Sequence, residues 1–345
     1  MNKLDILQMI KPYNTISIIG MDKNVGKTTV LNYILEKSRG KLKLGLTSIG
    51  RDGEEEDRVT ATEKPRIYIE KGTCLATAKQ CLYNSDITRE ILSTTGIHTA
   101  MGEVVIVKAL SDGYVELGGP SLNSYMIQVC KELKGLGSDL VIVDGALSRK
   151  SFASPSITEA TILATGAALS RSMDKVVERT GHAVKLLSLQ QEDNKHILGL
   201  CRNIPEAVRV SIINKDDSIV NLEVLTALEA AKEVVENLTE EAVYVVVKGI
   251  ISDKFIEDIM KSTDKFKGIT FLAEDGTKVF ISGDTLYKFE RQGGKLRVLN
   301  GINVICVTSN PRSPFGYEFD KDRFMDKLRK EISLPIIDVK AENYR

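Results

Sequence analysis

The chain has 345 residues, enough for two domains or for one domain with a large insertion, and its 47 basic residues balance its 47 acidic ones. That balance gives no electrostatic reason to expect nucleic acid or an anionic membrane as a partner. Five scattered cysteines without a Cys-x-x-Cys pair, and only three histidines, speak against a disulfide framework or a zinc site. Residues 1–11 lack a long apolar core and no run approaches membrane-spanning length, so the expected compartment is the cytoplasm.

The first predicted strand is Ile16-Ser17-Ile18-Ile19, and a helix is predicted from Val30-Leu31-Asn32-Tyr33-Ile34-Leu35. Between them runs Gly20-Met21-Asp22-Lys23-Asn24-Val25-Gly26-Lys27-Thr28-Thr29, the strand, glycine turn, helix order of a phosphate-binding loop. A triphosphate needs several backbone N–H donors close together, and Gly20 and Gly26 remove the Cβ atoms that would keep them away. Lys27 then sets a cation against the β- and γ-phosphates, Thr28 offers its hydroxyl to Mg²⁺, and the helix N-terminus adds partial positive charge. Five residues separate Gly20 from Gly26-Lys27-Thr28, one more than in the ordinary loop. The intervening Asp22 either helps hold the metal or caps the turn.

Further apolar β-rich runs follow at 43–49, 104–107, 140–143 and 161–165, the pattern of a parallel sheet covered by helices on both faces. Asp144 ends the third of these and is the expected second magnesium ligand, or else the start of a turn-forming Asp-Gly, while Asp52, in the loop after the 43–49 run, is a third candidate. The neighbouring residues 54–57 read as a solvated acidic loop. Gly118-Gly119-Pro120-Ser121 and Ser148-Arg149-Lys150-Ser151 could receive an anion, or could be a helix cap and a basic turn.

The expected architecture is α/β: a doubly wound, mostly parallel sheet of the P-loop NTPase kind over residues 1–190, with a C-terminal α/β extension over 191–345 that is independent or completes the same sheet. In the extension, strands are predicted at 208–213, 243–247, 278–282 and 304–307, with a long helical pattern from Leu222 to Leu238. Asn214-Lys215-Asp216-Asp217 reads as a guanine motif or, more simply, as turn chemistry. The rival is Asn310, in Thr308-Ser309-Asn310-Pro311, with Ser333-Leu334-Pro335 downstream. The dethiobiotin synthetase group, which the 20–29 loop resembles, often reads adenine with an Asn and a Pro-containing loop late in the fold, and that resemblance implies ATP in preference to GTP.

The form Gly-x-Asp-x-x-Val-Gly-Lys-Thr, with Gly20, Asp22, Val25, Gly26, Lys27 and Thr28, resembles the loop of dethiobiotin synthetase and its SIMIBI-class relatives, and Asp144-Gly145-Ala146 is similar to that group's Glu-Gly-Ala stretch. The Lys-Pro substrate segment of the synthetase is not present after the second strand, which weakens a ligase reading in which ATP phosphorylates a small carboxylate or carbamate. Longer strings resemble the lysine 5,6-aminomutase reactivase family: Gly45-Leu46-Thr47-Ser48-Ile49-Gly50-Arg51-Asp52-Gly53-Glu54, residues 103–113, and Asn310-Pro311-x-Ser313-Pro314-x-Gly316-Tyr317. That likeness implies a Mg²⁺-dependent ATPase that remodels a partner protein, either an aminomutase using adenosylcobalamin and pyridoxal phosphate or another reactivase subunit. The SIMIBI likeness also implies a homodimer. A GTPase switch is the remaining alternative.

Overall fold

The computed structural model describes residues 5–49, 66–145, 154 and 157–340. The chain divides into two compact units, Met1–Gly181 with Asn303–Arg345, and His182–Ile302. The division therefore differs from a single boundary at 190: residues from Asn303 onward return to the first unit.

The first unit is built on a nine-stranded sheet. Its middle strand, Thr15–Gly20, lies between Leu140–Asp144 and Ala160–Gly166, parallel to both. Outward on one side come Leu44–Ser48 and Cys74–Ala78, still parallel, then Gly102–Ala109 and Arg89–Thr99 as an antiparallel edge. On the other side Val304–Asn310 pairs with Ala160–Gly166, and Ile336–Ile337 closes the sheet. Successive residues of the Leu140–Asp144 strand feed opposite faces. Ile142 packs with Ile16, Ile18, Leu31 and Ile34, whereas Val141 and Val143 pack with Met126, Val129 and Leu133 of the Asn123–Gly135 helix. Each such buried aliphatic side chain contributes about 1.5–3 kcal/mol, which makes a both-sided helical cover the stable arrangement for these apolar runs.

The second unit holds a five-stranded sheet in the order Ile219–Asn221, Val210–Asn214, Ala242–Val247, Thr270–Ala273, Lys295–Val298. Its core includes Phe255, Phe266, Phe271 and Phe289, with the last stacked on Phe266 at 5.6 Å between ring centres. The helical pattern expected over 222–238 is realised only at Ala231–Asn237, after a short 3₁₀ turn. Leu222 is instead buried and donates its N–H to Val210, so the apolar residue that suggested helix caps a strand pair. Asn214-Lys215-Asp216-Asp217 forms the turn of the hairpin joining the first two strands. Asp216 accepts from the N–H and hydroxyl of Ser218, and Asp217 sits at φ 66°. These are the local bonds of a polar turn.

Taken whole, the chain is α/β with a large, mostly parallel central sheet and ten α-helices among the described residues, compatible with a Rossmann-like or P-loop fold. Among those residues no helix is long and apolar enough to cross a membrane.

Candidate functional site

Because the central strands are parallel, their carboxyl ends share one edge, where open α/β sheets bind ligands. Gly20, Asp144 and Asn310 each end one of these strands. Register aligns Ile18 with Asp144, Gly20 with Ala164, and Asn310 with Gly166.

The turn after Gly20 is tightly tied. Met21 donates its N–H to Ala164 at 2.9 Å, and one oxygen of the Asp22 carboxylate accepts from the N–H of Lys23 at 2.7 Å. Lys23 is half-buried, Asn24 is exposed in the left-handed region at φ 58°, and Val25 is buried. Gly26 follows at φ 99°, a conformation that favours glycine, and stands at the N-cap of the Lys27–Lys37 helix without a side-chain cap. The first-turn amides of that helix are consequently uncapped donors with the positive end of the helix dipole behind them. Thr28 and Thr29, the next two residues, are half-buried.

Lys27 folds back over the start of its own turn. Its ammonium donates to the Asp22 carbonyl at 2.9 Å, and a Cβ on Gly20 would stand 2.8 Å from Lys27 Nζ. A larger residue at position 20 would therefore push the lysine from its place across the turn. Burial pushes the Lys27 ammonium below its ordinary value, while the carboxylates of Asp144 and Asp22 pull the other way. Asp144 answers in the opposite sense: burial drives its carboxyl up to about 6, and the Lys27 charge only partly offsets this. Its Oδ1 is sealed from solvent with no hydrogen-bond partner among the described residues. The turn and the strand end, far apart in sequence, thus bring two opposite charges close enough to influence one another. Asp52 and residues 54–57 and 148–151 lie outside the described residues.

Asn310 is a strap. Its Nδ2 donates to the Asn24 carbonyl at 3.3 Å and its Oδ1 accepts from the Arg312 N–H at 3.2 Å, while its Cβ lies 3.3 Å from where a Gly26 Cβ would be. One end of the amide thus holds the 20–29 turn and the other holds the start of Asn310's own loop, which places the expected base reader against the turn. Asn310→Ala is expected to loosen the 20–29 turn by about 1 kcal/mol with little loss of fold, because the Asn24 carbonyl loses its donor; hydrogen exchange at the turn amides of both proteins checks this.

Beside the turn lies a cavity of about 110 Å³. Val25, Gly26 and Thr29 form one wall, and Thr308 and Asp338 stand on the other side. Thr308 is 2 % exposed, and its hydroxyl has no partner among the described residues. The Asp338 carboxylate accepts from the Lys340 N–H at 2.9 Å and lies 3.5 Å from the Lys321 ammonium. The sequence directs attention to Ser333-Leu334-Pro335, whereas residues 338–340 line the space. Pro335 is spent on the sheet, accepting from Val307. The signal present in the sequence is a short apolar pair ending in Asp, Ile336-Ile337-Asp338, a small echo of Val143-Asp144.

Gly118-Gly119-Pro120-Ser121 packs directly on the sheet: a Cβ on Gly119 would fall 2.1 Å from the Ser48 carbonyl oxygen. No group of three or more His, Cys, Asp or Glu side chains among the described residues is arranged to hold a metal. Comparison with protein-family models, with curated proteins and with solved structures finds nothing that matches this chain.

Proposed function

We propose that the chain is a P-loop NTPase that binds Mg²⁺-ATP on the 20–29 turn and acts as an accessory ATPase on a partner protein. The single observation that carries this reading is the conjunction at one sheet edge: a lysine ammonium folded over a glycine turn, an uncapped helix N-terminus, and the orphaned carboxylate oxygen of Asp144. In the proposed complex the ammonium leaves the Asp22 carbonyl for the β- and γ-phosphate oxygens, and the turn amides bind the remaining oxygens.

Magnesium fits the donors present. It takes oxygen ligands, usually from one or two carboxylates plus phosphates and water, and the buried, unpartnered Asp144 oxygen together with the Thr28 hydroxyl supplies that kind of set. When bound, the ion would neutralise charge on the transferred phosphoryl group. Lys27 acts in the same sense as the bond to the γ-phosphorus breaks, stabilising charge on the leaving oxygens, while water supplies the new P–O bond and ADP and phosphate are released. The 110 Å³ cavity is on the scale of one base, and the Thr308 hydroxyl and Asp338 carboxylate offer it polar contacts.

An accessory role is favoured over a ligase because His182–Ile302 forms a second compact unit with its own phenylalanine core, surface that hydrolysis alone does not need. The likeness to the aminomutase reactivase family supplies the partner class, an adenosylcobalamin enzyme. The test is hydrolysis by the purified chain, alone and with an inactivated aminomutase. Faster turnover with the partner supports the reading. Stoichiometric ADP formation driven by small carboxylates alone would establish the ligase instead.

A further inference from the structure

At the opposite edge of the first unit's sheet, where the parallel strands begin, lies a much larger space. It is an open groove of about 1300 Å³ between the C-terminal end of the Lys27–Lys37 helix and the two-stranded ribbon of Ile67–Ile69 and Gly113–Val115. It is remote from the phosphate turn by construction, since Lys43 and Asp139 on its wall stand just before strands whose far ends are Ser48 and Asp144.

Cations dominate it. Arg39, Lys41, Lys43, Arg66 and Lys71 all line the groove, against Glu36, Glu70 and Asp139. Two of the three acids are already engaged: Glu70 pairs with Arg39 at 2.9 Å, and Asp139 accepts from the Lys43 backbone N–H at 2.7 Å. The ammonium groups of Lys41, Lys43 and Lys71 are exposed and have no ion-pair partner among the described residues. Ser38, 1 % exposed, also lines the groove, and its hydroxyl has no partner among those residues.

Both arginines are ion-paired and backed by a ring: Arg39 binds Glu70 through Nε, and Arg66 binds Asp86 at 3.4 Å through one terminal nitrogen, which leaves the other guanidinium N–H groups. Tyr68 and Tyr114 face each other across the ribbon, edge to face at 5.2 Å, with the Arg39 guanidinium 5.7 Å from the first ring centre and Arg66 5.8 Å from the second. Such stacking fixes a planar fork that suits carboxylates. It also decides between polyanions. Each ring already carries a guanidinium and meets its neighbour edge-on, so stacked bases, the main source of single-strand nucleic-acid affinity, would have to displace these contacts. Carboxylates need only the remaining guanidinium N–H groups and the exposed ammonium groups of Lys41, Lys43 and Lys71.

We infer that this groove docks an acidic segment of a partner protein, by carboxylate pairing to Lys41, Lys43, Lys71 and the tyrosine-backed arginines. The inference stands whether or not the distant turn binds nucleotide.

A fluorescein-labelled oligoglutamate peptide is the probe, read by anisotropy with the full chain. Binding is expected, weakening steeply between low and physiological salt. The triple variant Lys41→Glu, Lys43→Glu, Lys71→Glu is expected to lower affinity on the order of tenfold or more. Lys71→Glu alone, checked by circular dichroism, guards against misfolding and should give a smaller loss. Absence of binding, affinity unchanged by charge reversal in the folded variants, or displacement of the peptide by single-stranded RNA at lower concentration than by unlabelled oligoglutamate would each overturn the inference. Calorimetry with Mg²⁺-ATP on the same variants reads the other site separately and is expected to be unchanged.

Discussion

Lys27→Ala is expected to abolish triphosphate hydrolysis, lowering turnover on the order of a hundredfold to a thousandfold or more, while the chain stays folded. The magnitude is that of removing one preorganised charge from a buried site where negative charge develops. Folding survives because Lys27 contributes no core packing. Its ammonium bonds a turn carbonyl, and its own desolvation, which pushes its pKa down, is relieved in the variant. The change should also be felt at Asp144. Without the opposing ammonium the carboxyl loses the one influence that holds it down, and its midpoint should rise above about 6. Phosphate release assays, with far-ultraviolet circular dichroism for the fold, separate the two effects. Full activity in a folded variant would remove Lys27 from the chemistry.

Asp144→Asn should split stability from function. The carboxyl is raised from 3.8 to about 6, so between these values the folded chain binds a proton that the unfolded chain does not. Stability from this group is therefore greatest in acid, falls as pH rises from about 4 to 6, and stays low above that. A rise of that size corresponds to about 3 kcal/mol. The net upward displacement already includes the attraction of Lys27, so desolvation wins over the ion pair. Substitution by the neutral isostere is then expected to stabilise the chain at pH 7–8 by about 1–3 kcal/mol and to flatten the pH dependence. The same substitution removes the proposed magnesium ligand, and hydrolysis should fall by at least about a hundredfold. A stable, inactive variant is the pattern of a residue kept for function at a cost in folding. Loss of both stability and activity would show the carboxylate to be structural. Thermal melts at pH 4, 6 and 8 provide the check.

Much of this edge was legible in the sequence because its determinants are local. Ile16 to Ile19 and the helix from Lys27 carry their periodicities within a few residues, and Gly26 between them takes the left-handed turn that favours glycine. Asp144 was legible as an acid ending an apolar run. What stayed hidden depends on register between distant segments. Nothing near Val304–Asn310 reveals that it crosses back beside Ala160–Gly166, yet that pairing alone brings Asn310 against Asn24. The cavity wall at Asp338 follows from the same return of the chain. Strand Arg89–Thr99 was missed because, as an edge strand, it is mostly exposed and lacks the apolar run of its buried neighbours. The helix expected from Leu222 was misplaced because an apolar residue at a strand end and one on a helix face look alike over short windows.

The most direct measurement of the proposed site is calorimetric titration of the full chain with a non-hydrolysable ATP analogue in the presence and absence of Mg²⁺, repeated with Lys27→Ala. The expected result is stoichiometric, magnesium-strengthened binding that adenosine cannot reproduce and that the variant loses. Absence of heat in the wild-type chain, or equal affinity in the folded variant, would contradict a triphosphate seat on the 20–29 turn.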